Sequence, residues 1–217
     1  MDDKVKKIFF TTKILEWGRE NRREFVWRSK NDDFFVVFIS EFFLRKTRSE
    51  NVEKFLVFFL NKYHSFCDIA NIPLDILMEE IKPLGLHNQR AKALKEIAGK
   101  LCGQEQPSYE EIMKLPHCGR YTASAIECFY RKKRHPIVDN NIQRLFNRFF
   151  SCPKFSEIHK AEPLWNLAQE LLPETNYVEY NYYLLDFAAL VCKPVHPRCG
   201  QCPLAPLCDF YHKKGSK

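Results

Sequence analysis

Glycine is scarce in this chain, seven residues among 217, and neither it nor the twelve prolines fall into a repeat or low-complexity tract. That argues against a fibrous or disordered chain. Long apolar runs are missing as well. Val36 to Leu44 is rich in Phe and Val, but Glu41 interrupts it and it is far too short to span a bilayer. Near the start only Ile8-Phe9-Phe10 is apolar, where a secretory signal needs a longer continuous region. Strand-like alternation is also rare. The expectation is a soluble, cytoplasmic, helical protein.

What is present is ordinary for a globular protein. Hydrophobic residues make up 45% and charged residues 28%, in a length that holds one large domain or two small ones around a real core. Formal net charge is +7. Basic runs at Lys4–Lys7, Arg45–Arg48 and Arg131–Arg134 point to a polyanion as one class of partner, a weak signal when taken alone. Nine cysteines is an odd count. With no secretory signal, a reducing compartment is expected, with Cys67, Cys102, Cys118, Cys128 and Cys152 as ordinary packed thiols.

Helical periodicity covers Val5 to Trp17. Phe34 to Arg45 reads as a buried helix, although its Phe-rich composition equally allows a strand. Thr47 and Glu50 have the spacing of a capping box ahead of Val52 to Tyr63. Ser108 and Glu111 repeat it before Ile112, Met113 and Leu115, where Pro116 stops the helix. Further helices are expected at Ala91–Leu101, Tyr121–Tyr130, Asn141–Phe149, Pro163–Leu172 and Tyr180–Val191, with Pro163 suited to a first helical position. The expected fold class is all-α with short connections.

Three motifs carry chemistry. The first is Leu115-Pro116-His117-Cys118-Gly119-Arg120-Tyr121-Thr122-Ala123, in which a helix stops, a tight turn ends in glycine and a new helix starts. Backbone N–H groups at such a helix start can grip a phosphate, and Arg120 adds charge; the alternative is a plain αα-corner. The second is Pro136-Ile137-Val138-Asp139-Asn140-Asn141-Ile142-Gln143-Arg144, which puts Asp139 at or just before a helix N-terminus, where capping is the commonest job for aspartate. The third is Cys192, Cys199, Cys202 and Cys208, spaced C-x6-C-x2-C-x5-C. Four thiolates so close in sequence suit one soft metal centre, an iron–sulfur cluster or zinc. Zinc sites of four cysteines usually carry two separated C-x2-C pairs, and only one stands here, so the cluster is favoured.

Together these segments resemble the helix–hairpin–helix DNA glycosylases of the endonuclease III superfamily. The hairpin resembles that family's LPGxGxxTA, and the Asp139 segment resembles its (V/L)DxNxxR, which carries the catalytic aspartate. The four cysteines resemble its four-iron, four-sulfur ligand set. Phe25-Val26-Trp27-Arg28 resembles FPWR, Ile39-Ser40-Glu41 with Leu44 and Thr47 resembles (I/V)SExxLxxT, and Gly85-Leu86 with Arg90-Ala91 resembles GLxxxRA. The resemblance implies two helical domains. A six-helix barrel would span 22–131 and hold the hairpin at about 109–130; a [4Fe-4S] cluster domain would combine 1–21 with 132–217. The cluster would hold a basic loop, with Lys193, His196 and Arg198, against DNA. The substrate pocket would lie between the domains beside Asp139.

Within the family, residue 121 separates two chemistries. Members that also nick DNA carry lysine there and form a Schiff base with the sugar. Tyr121 offers no such nucleophile, so the resemblance implies a monofunctional enzyme. Adenine-specific members usually have serine at this place, Gln-Gln where Arg45-Lys46 stand, and a further C-terminal domain that this chain is expected to lack. The combination here looks most like the archaeal-type glycosylases that remove thymine or uracil opposite guanine. The implied roles are Asp139 for hydrolysis, Tyr121 and Glu41 around the target base, and Gly119, Arg120, His117, Arg45, Lys46 and His87 as DNA contacts. Double-stranded DNA with a mispaired or damaged base would be the partner, met by a monomer. Alternatives are a relative acting on adenine opposite 8-oxoguanine, an oxidised pyrimidine or a modified cytosine, or a non-catalytic cluster- or zinc-bearing DNA-binding protein. One departure from the pattern is His117, where the family has glycine; a left-handed backbone there is tolerated by His at some cost.

Overall fold

The computed structural model describes residues 2–215, and among them there is no β-strand. The helices are α1 (Asp3–Asn21), α2 (Val26–Ser29), α3 (Phe34–Leu44), α4 (Ser49–Lys62), α5 (Phe66–Asn71), α6 (Leu74–Ile81), α7 (His87–Leu101), α8 (Tyr109–Lys114), α9 (Arg120–Ala125), α10 (Asn140–Phe150), α11 (Glu162–Leu171), α12 (Tyr177–Leu190) and α13 (Asp209–Gly215). A π-helical turn, Ile126–Tyr130, extends α9. No helix among the described residues is long and apolar enough to cross a membrane. The chain divides into two compact units. One is formed by the chain through Arg23 together with the residues from Lys132 onward, the other by Glu24–Arg131.

In the first unit α1 packs against α12, and the approach is close because Gly18 faces Tyr183. A Cβ at Gly18 would stand 2.0 Å from the Tyr183 ring, so only glycine fits that crossing. Phe10 anchors the same helix among Phe146, Phe149 and Phe150, and Trp17 meets Phe187 edge-on at 5.0 Å. Where α1 ends, the Arg23 backbone N–H and Nε donate to the two oxygens of fully buried Asp186 at 3.0 and 2.7 Å. Removing one partner of such a pair leaves an uncompensated charge, at about 3–5 kcal/mol.

The second unit is built around α3, whose residues Phe35 to Phe43 are buried without interruption. That settles the helix-or-strand ambiguity of its sequence: Asp33 caps the helix by accepting the Val36 N–H at 3.2 Å. Phe35 and Phe38 meet Phe66 nearly edge-on, and Phe43 meets Phe55 and Phe59 in the same way. The Ser108–Glu111 capping box forms with both arms. The one expected at Thr47 and Glu50 does not: α4 starts after Arg48, and the Thr47 hydroxyl accepts from Arg90 instead. A capping box at Ser65–Asp68 escaped the sequence pattern because its third position holds aspartate rather than Glu or Gln.

One further expectation is corrected and another refined. Part of the charge in the first and third basic runs is taken up in ion pairs. Lys6 pairs with Asp209, Lys7 with Asp3 and Glu170, Arg131 with Glu127, and Arg134 with Glu174. Arg45, Lys46 and Arg48 are exposed. Second, Cys67 and Cys102 are not ordinary thiols but form a disulfide. α5 packs on α7, which brings the first turn of one beside the C-terminus of the other with the two Cα atoms 4.6 Å apart. A separation of 35 residues hid that pairing from the sequence. Closing such a loop is worth about 2–4 kcal/mol by chain entropy. Thiol titration of the denatured, non-reduced protein should therefore find Cys67 and Cys102 unreactive, and Cys67→Ser should lower the melting temperature by several degrees. Reaction of both thiols, or an unchanged melting temperature, would contradict the bridge.

Candidate active site and thiol pocket

Pro136, Ile137 and Val138 are buried and lead in extended conformation to Asp139, which caps α10. Oδ1 accepts the backbone N–H of Asn141 at 2.9 Å and of Ile142 at 2.7 Å, while Oδ2 accepts the Asn141 side-chain amide at 2.7 Å. Loss of water around the carboxyl raises its pKa; the bonds from Ile142 and Asn141 and the charge of Arg144 oppose that. Desolvation is the larger influence, so the carboxyl titrates above the range of an ordinary aspartate. The helix N-terminus does favour ionisation, as capping implies, but it does not set the net direction.

The bonding continues along α10. The Asn141 side-chain Oδ1 accepts from Arg144 Nη1 at 2.8 Å, and the same guanidinium donates to the backbone carbonyls of Cys192 and Ala188 at 2.9 and 2.8 Å. One turn later Arg148 donates to the carbonyls of Lys193 and Pro194 at 2.6 and 3.0 Å and stacks over Phe210. One helix therefore carries a carboxylate at its head and grips the Cys192 loop along its side.

Cys192, Cys199, Cys202 and Cys208 line one pocket, closed on its other side by Leu145, Phe149, Phe187 and Leu204. Short turns at Cys199–Gln201 and Ala205–Leu207 aim the last three inward. Burial pushes the Cys202 thiol up to about 12, and the charges of Cys192, Cys208 and Cys199 push the same way. Burial also raises Cys208, with Cys192 and Cys199 adding to it. Four thiols that oppose one another's ionisation form a donor set suited to a shared cationic group. No three His, Cys, Asp or Glu side chains among the described residues converge tightly enough to hold a single metal ion.

In the second unit the hairpin joins α8 to α9. The left-handed residue is His117, at φ 57°. Gly119 is extended, at φ 172°, a conformation open to any residue, and a Cβ at 119 would meet nothing within 4 Å. The backbone around Gly119 is thus open to close approach from outside. Burial raises the Cys118 thiol to about 12, which keeps it protonated. Arg120 and half-buried Tyr121 begin α9, which packs against α3; buried Glu41 lies on that neighbouring helix.

Exposed Arg45 and Lys46 follow α3, and His87 opens α7. His117 has its pKa lowered by partial burial and then by the charges of Arg45, Arg90 and Lys46, which places these four groups in one electropositive neighbourhood. Leu86, beside His87, is exposed with a left-handed backbone at φ 52°. Sequence reading passed over Arg90, Leu86, Arg144 and Arg148 as functional positions. Arg90 lies within a segment matched to the family, yet nothing in spacing alone marks an arginine that folds inward.

A family model described as "HhH-GPD superfamily base excision DNA repair protein" matches residues 39–174. The chain is 37% identical to the thymine/uracil-DNA glycosylase of Methanothermobacter thermautotrophicus, over 98% of its own length and 99% of that protein. It is 32% identical to the protein of the same name from Pyrobaculum aerophilum, over 94% and 93%. A solved structure of a thermostable thymine-DNA glycosylase superposes with a TM-score of 0.89 at 35% identity, covering 97% of this chain and 98% of that one. Endonuclease III in a non-covalent DNA complex shares the fold, with a TM-score of 0.86 at 22% identity over the full length of both chains.

The hydrogen bonds of α10 set a stability test. Arg144→Met removes the donors to Asn141 Oδ1 and to the Ala188 and Cys192 carbonyls, the last keeping Arg148 at 3.4 Å, and should cost about 1–3 kcal/mol in urea unfolding. Arg45→Met, on the exposed loop, should stay within about 0.5 kcal/mol of the parent. Equal effects would mean that the Arg144 bonds contribute nothing to the fold.

Proposed function

The chain belongs to the HhH-GPD superfamily of base excision DNA repair proteins, and on that footing we propose that it is a monofunctional DNA glycosylase removing thymine or uracil mispaired with guanine in duplex DNA. The observation that carries this reading is the half-buried Asp139 carboxylate, held by three hydrogen bonds at the head of α10 with its pKa raised by desolvation. Cleavage of an N-glycosidic bond builds positive charge on the sugar and negative charge on the departing base. A preorganised carboxylate stabilises that sugar and takes a proton from the attacking water. Desolvation makes it a stronger base than a free aspartate. The pyrimidine must leave the stack first, which costs least at a mispair and supplies part of the selectivity.

Tyr121 supports the monofunctional assignment, because a phenol at the start of α9 offers no amine for a Schiff base. Tyr121 and Glu41, on packed helices, flank the extruded base, with Glu41 as hydrogen-bond partner. The open backbone at Gly119, the start of α9 and Arg120 receive a phosphate of the DNA. Arg45, Lys46, His87 and His117 contact the backbone or the orphaned guanine. Leu86 has the apolar, exposed side chain that suits insertion between base steps. The guanine-mispair preference rests on the Arg45-Lys46 pair with Tyr121, and the choice of thymine and uracil also on the two relatives named thymine/uracil-DNA glycosylase.

Cys192, Cys199, Cys202 and Cys208 would hold a [4Fe-4S] cluster, since their chemistry and shared pocket fit it. When bound, such a group compensates the thiolate charges and pins the loop from Lys193 to Arg198. Arg144 and Arg148 already hold the carbonyls at the start of that loop.

Base release from labelled duplexes tests the reading. G·T and G·U should yield abasic sites that break only after alkali, and Asp139→Asn should abolish release while DNA affinity stays close to the parent. Breaks without alkali would overturn Tyr121 as the mark of a monofunctional enzyme; turnover by Asp139→Asn would remove Asp139 from the mechanism. The pH profile adds a sign. The working form is the carboxylate, so single-turnover release falls as pH drops through the Asp139 pKa, and that acid limb should lie above the ordinary aspartate range. A limb within that range would show that desolvation does not govern the group.

A further inference from the structure

Arg90 lies in the first turns of α7 and is only 5% exposed, although it carries a full charge. Its guanidinium donates to three acceptors: the Leu84 carbonyl at 3.2 Å, the Arg45 carbonyl at 2.6 Å and the Thr47 hydroxyl at 2.6 Å. Its backbone N–H donates to the Leu86 carbonyl at 3.0 Å. The acceptors are not scattered. Arg45 and Thr47 bracket Lys46, whose backbone is left-handed at φ 56°; Leu84 and Leu86 bracket Gly85, and Leu86 is itself left-handed at φ 52°. One side chain therefore spans two loops 40 residues apart in sequence, each holding a non-glycine residue in a costly conformation whose side chain faces solvent.

The chemistry of the acceptors adds a second argument. Burying a guanidinium against carbonyls and a hydroxyl satisfies its hydrogens but leaves its charge uncompensated. For stability alone, an apolar residue or an arginine paired with a carboxylate would serve better. An uncompensated buried cation beneath exposed Arg45 and Lys46 makes sense where an anion arrives from outside.

We propose that Arg90 is the positioning residue of the DNA-facing loops, fixing Lys46 and Leu86 at one separation so that both engage the duplex together as the target base leaves the stack. The proposal rests on the glycosylase reading. Arg90 itself touches no DNA in this account; it acts through the two loops. Arg90→Lys keeps the charge but replaces the two nitrogens, one on the Leu84 carbonyl and one on the Arg45 carbonyl and Thr47 hydroxyl, with a single nitrogen that lacks the planar fork spanning both loops.

The test compares parent and Arg90→Lys on a G·U duplex with 2-aminopurine beside the mispair. Base extrusion is read by fluorescence, with single-turnover release at saturating protein, affinity for undamaged duplex and the unfolding midpoint measured alongside. Extrusion and release should fall about 10- to 100-fold, as expected for a misplaced contact, while affinity for undamaged DNA and the unfolding midpoint hold. Parent-like extrusion and release would overturn the proposal, as would losses matched by equal losses in undamaged-duplex affinity and stability. Should Arg90→Lys fail to fold, Lys46→Ala, Leu86→Ala and their double variant decide on native Arg90. Loops held as one unit give non-additive losses in extrusion, and strict additivity sinks the idea. A parent protein that releases neither thymine nor uracil would take down the glycosylase reading and this proposal with it, whereas an active parent with an unaffected Arg90→Lys variant would remove the proposal alone.

Discussion

Asp139 is tied to the first turn of α10 by bonds that leave it no rotational freedom, and the order of the first unit runs outward from that cap. The carboxylate satisfies two backbone N–H groups that the helix start would otherwise leave exposed, and Asn141 takes its second oxygen. Asn141 is in turn held by Arg144, and Arg144 by the carbonyls of Ala188 and Cys192. Phe146 and Phe149 on the same helix bury themselves against Phe10 of α1. Capping holds the Asp139 carboxylate in place, desolvation raises its pKa, and the proposed function uses both.

The second unit solves a different problem. Its surface must present cations and open backbone to a polyanion while its core stays apolar. The core is an aromatic cluster around α3, which leaves the two ends of that helix free to carry loops. Left-handed residues turn the chain sharply after α3 at Lys46, before α7 at Leu86 and between α8 and α9 at His117. Such conformations persist only when surrounding bonds over-determine them; the Arg90 guanidinium bonds both neighbours of Lys46 and the Leu84 carbonyl two residues before Leu86.

Charge in this chain divides by location rather than by sequence run. Lys6, Lys7, Arg131 and Arg134 are drawn into ion pairs, whereas Arg45, Lys46 and Arg48 after α3 stay exposed. A net charge of +7 therefore overstates how many positions face a polyanion. The cysteines divide in the same way: Cys202 and Cys208 share a pocket with their neighbours, Cys118 is a protonated packing residue, and Cys67 with Cys102 staples two helices.

By itself the sequence determined whatever depends on near neighbours. Helical period, the Ser108–Glu111 capping box, the stop at Pro116, Asp139 at a helix start and the closely spaced cysteines all act within a few residues, so their physics is legible in one dimension. The left-handed backbone at His117 was legible only through the resemblance to a family that has glycine there, and the structure shows it at φ 57°. Only the tertiary structure decided what depends on distant groups. The Cys67–Cys102 bridge needs α5 packed on α7, the net upward shift of Asp139 needs burial to outweigh local bonds, and the loss of the Thr47 cap needs Arg90 to arrive from 43 residues away. Arg90 marks the limit most clearly: in sequence it is one more basic residue on a helix, and its meaning comes from the acceptors that folding brings around it.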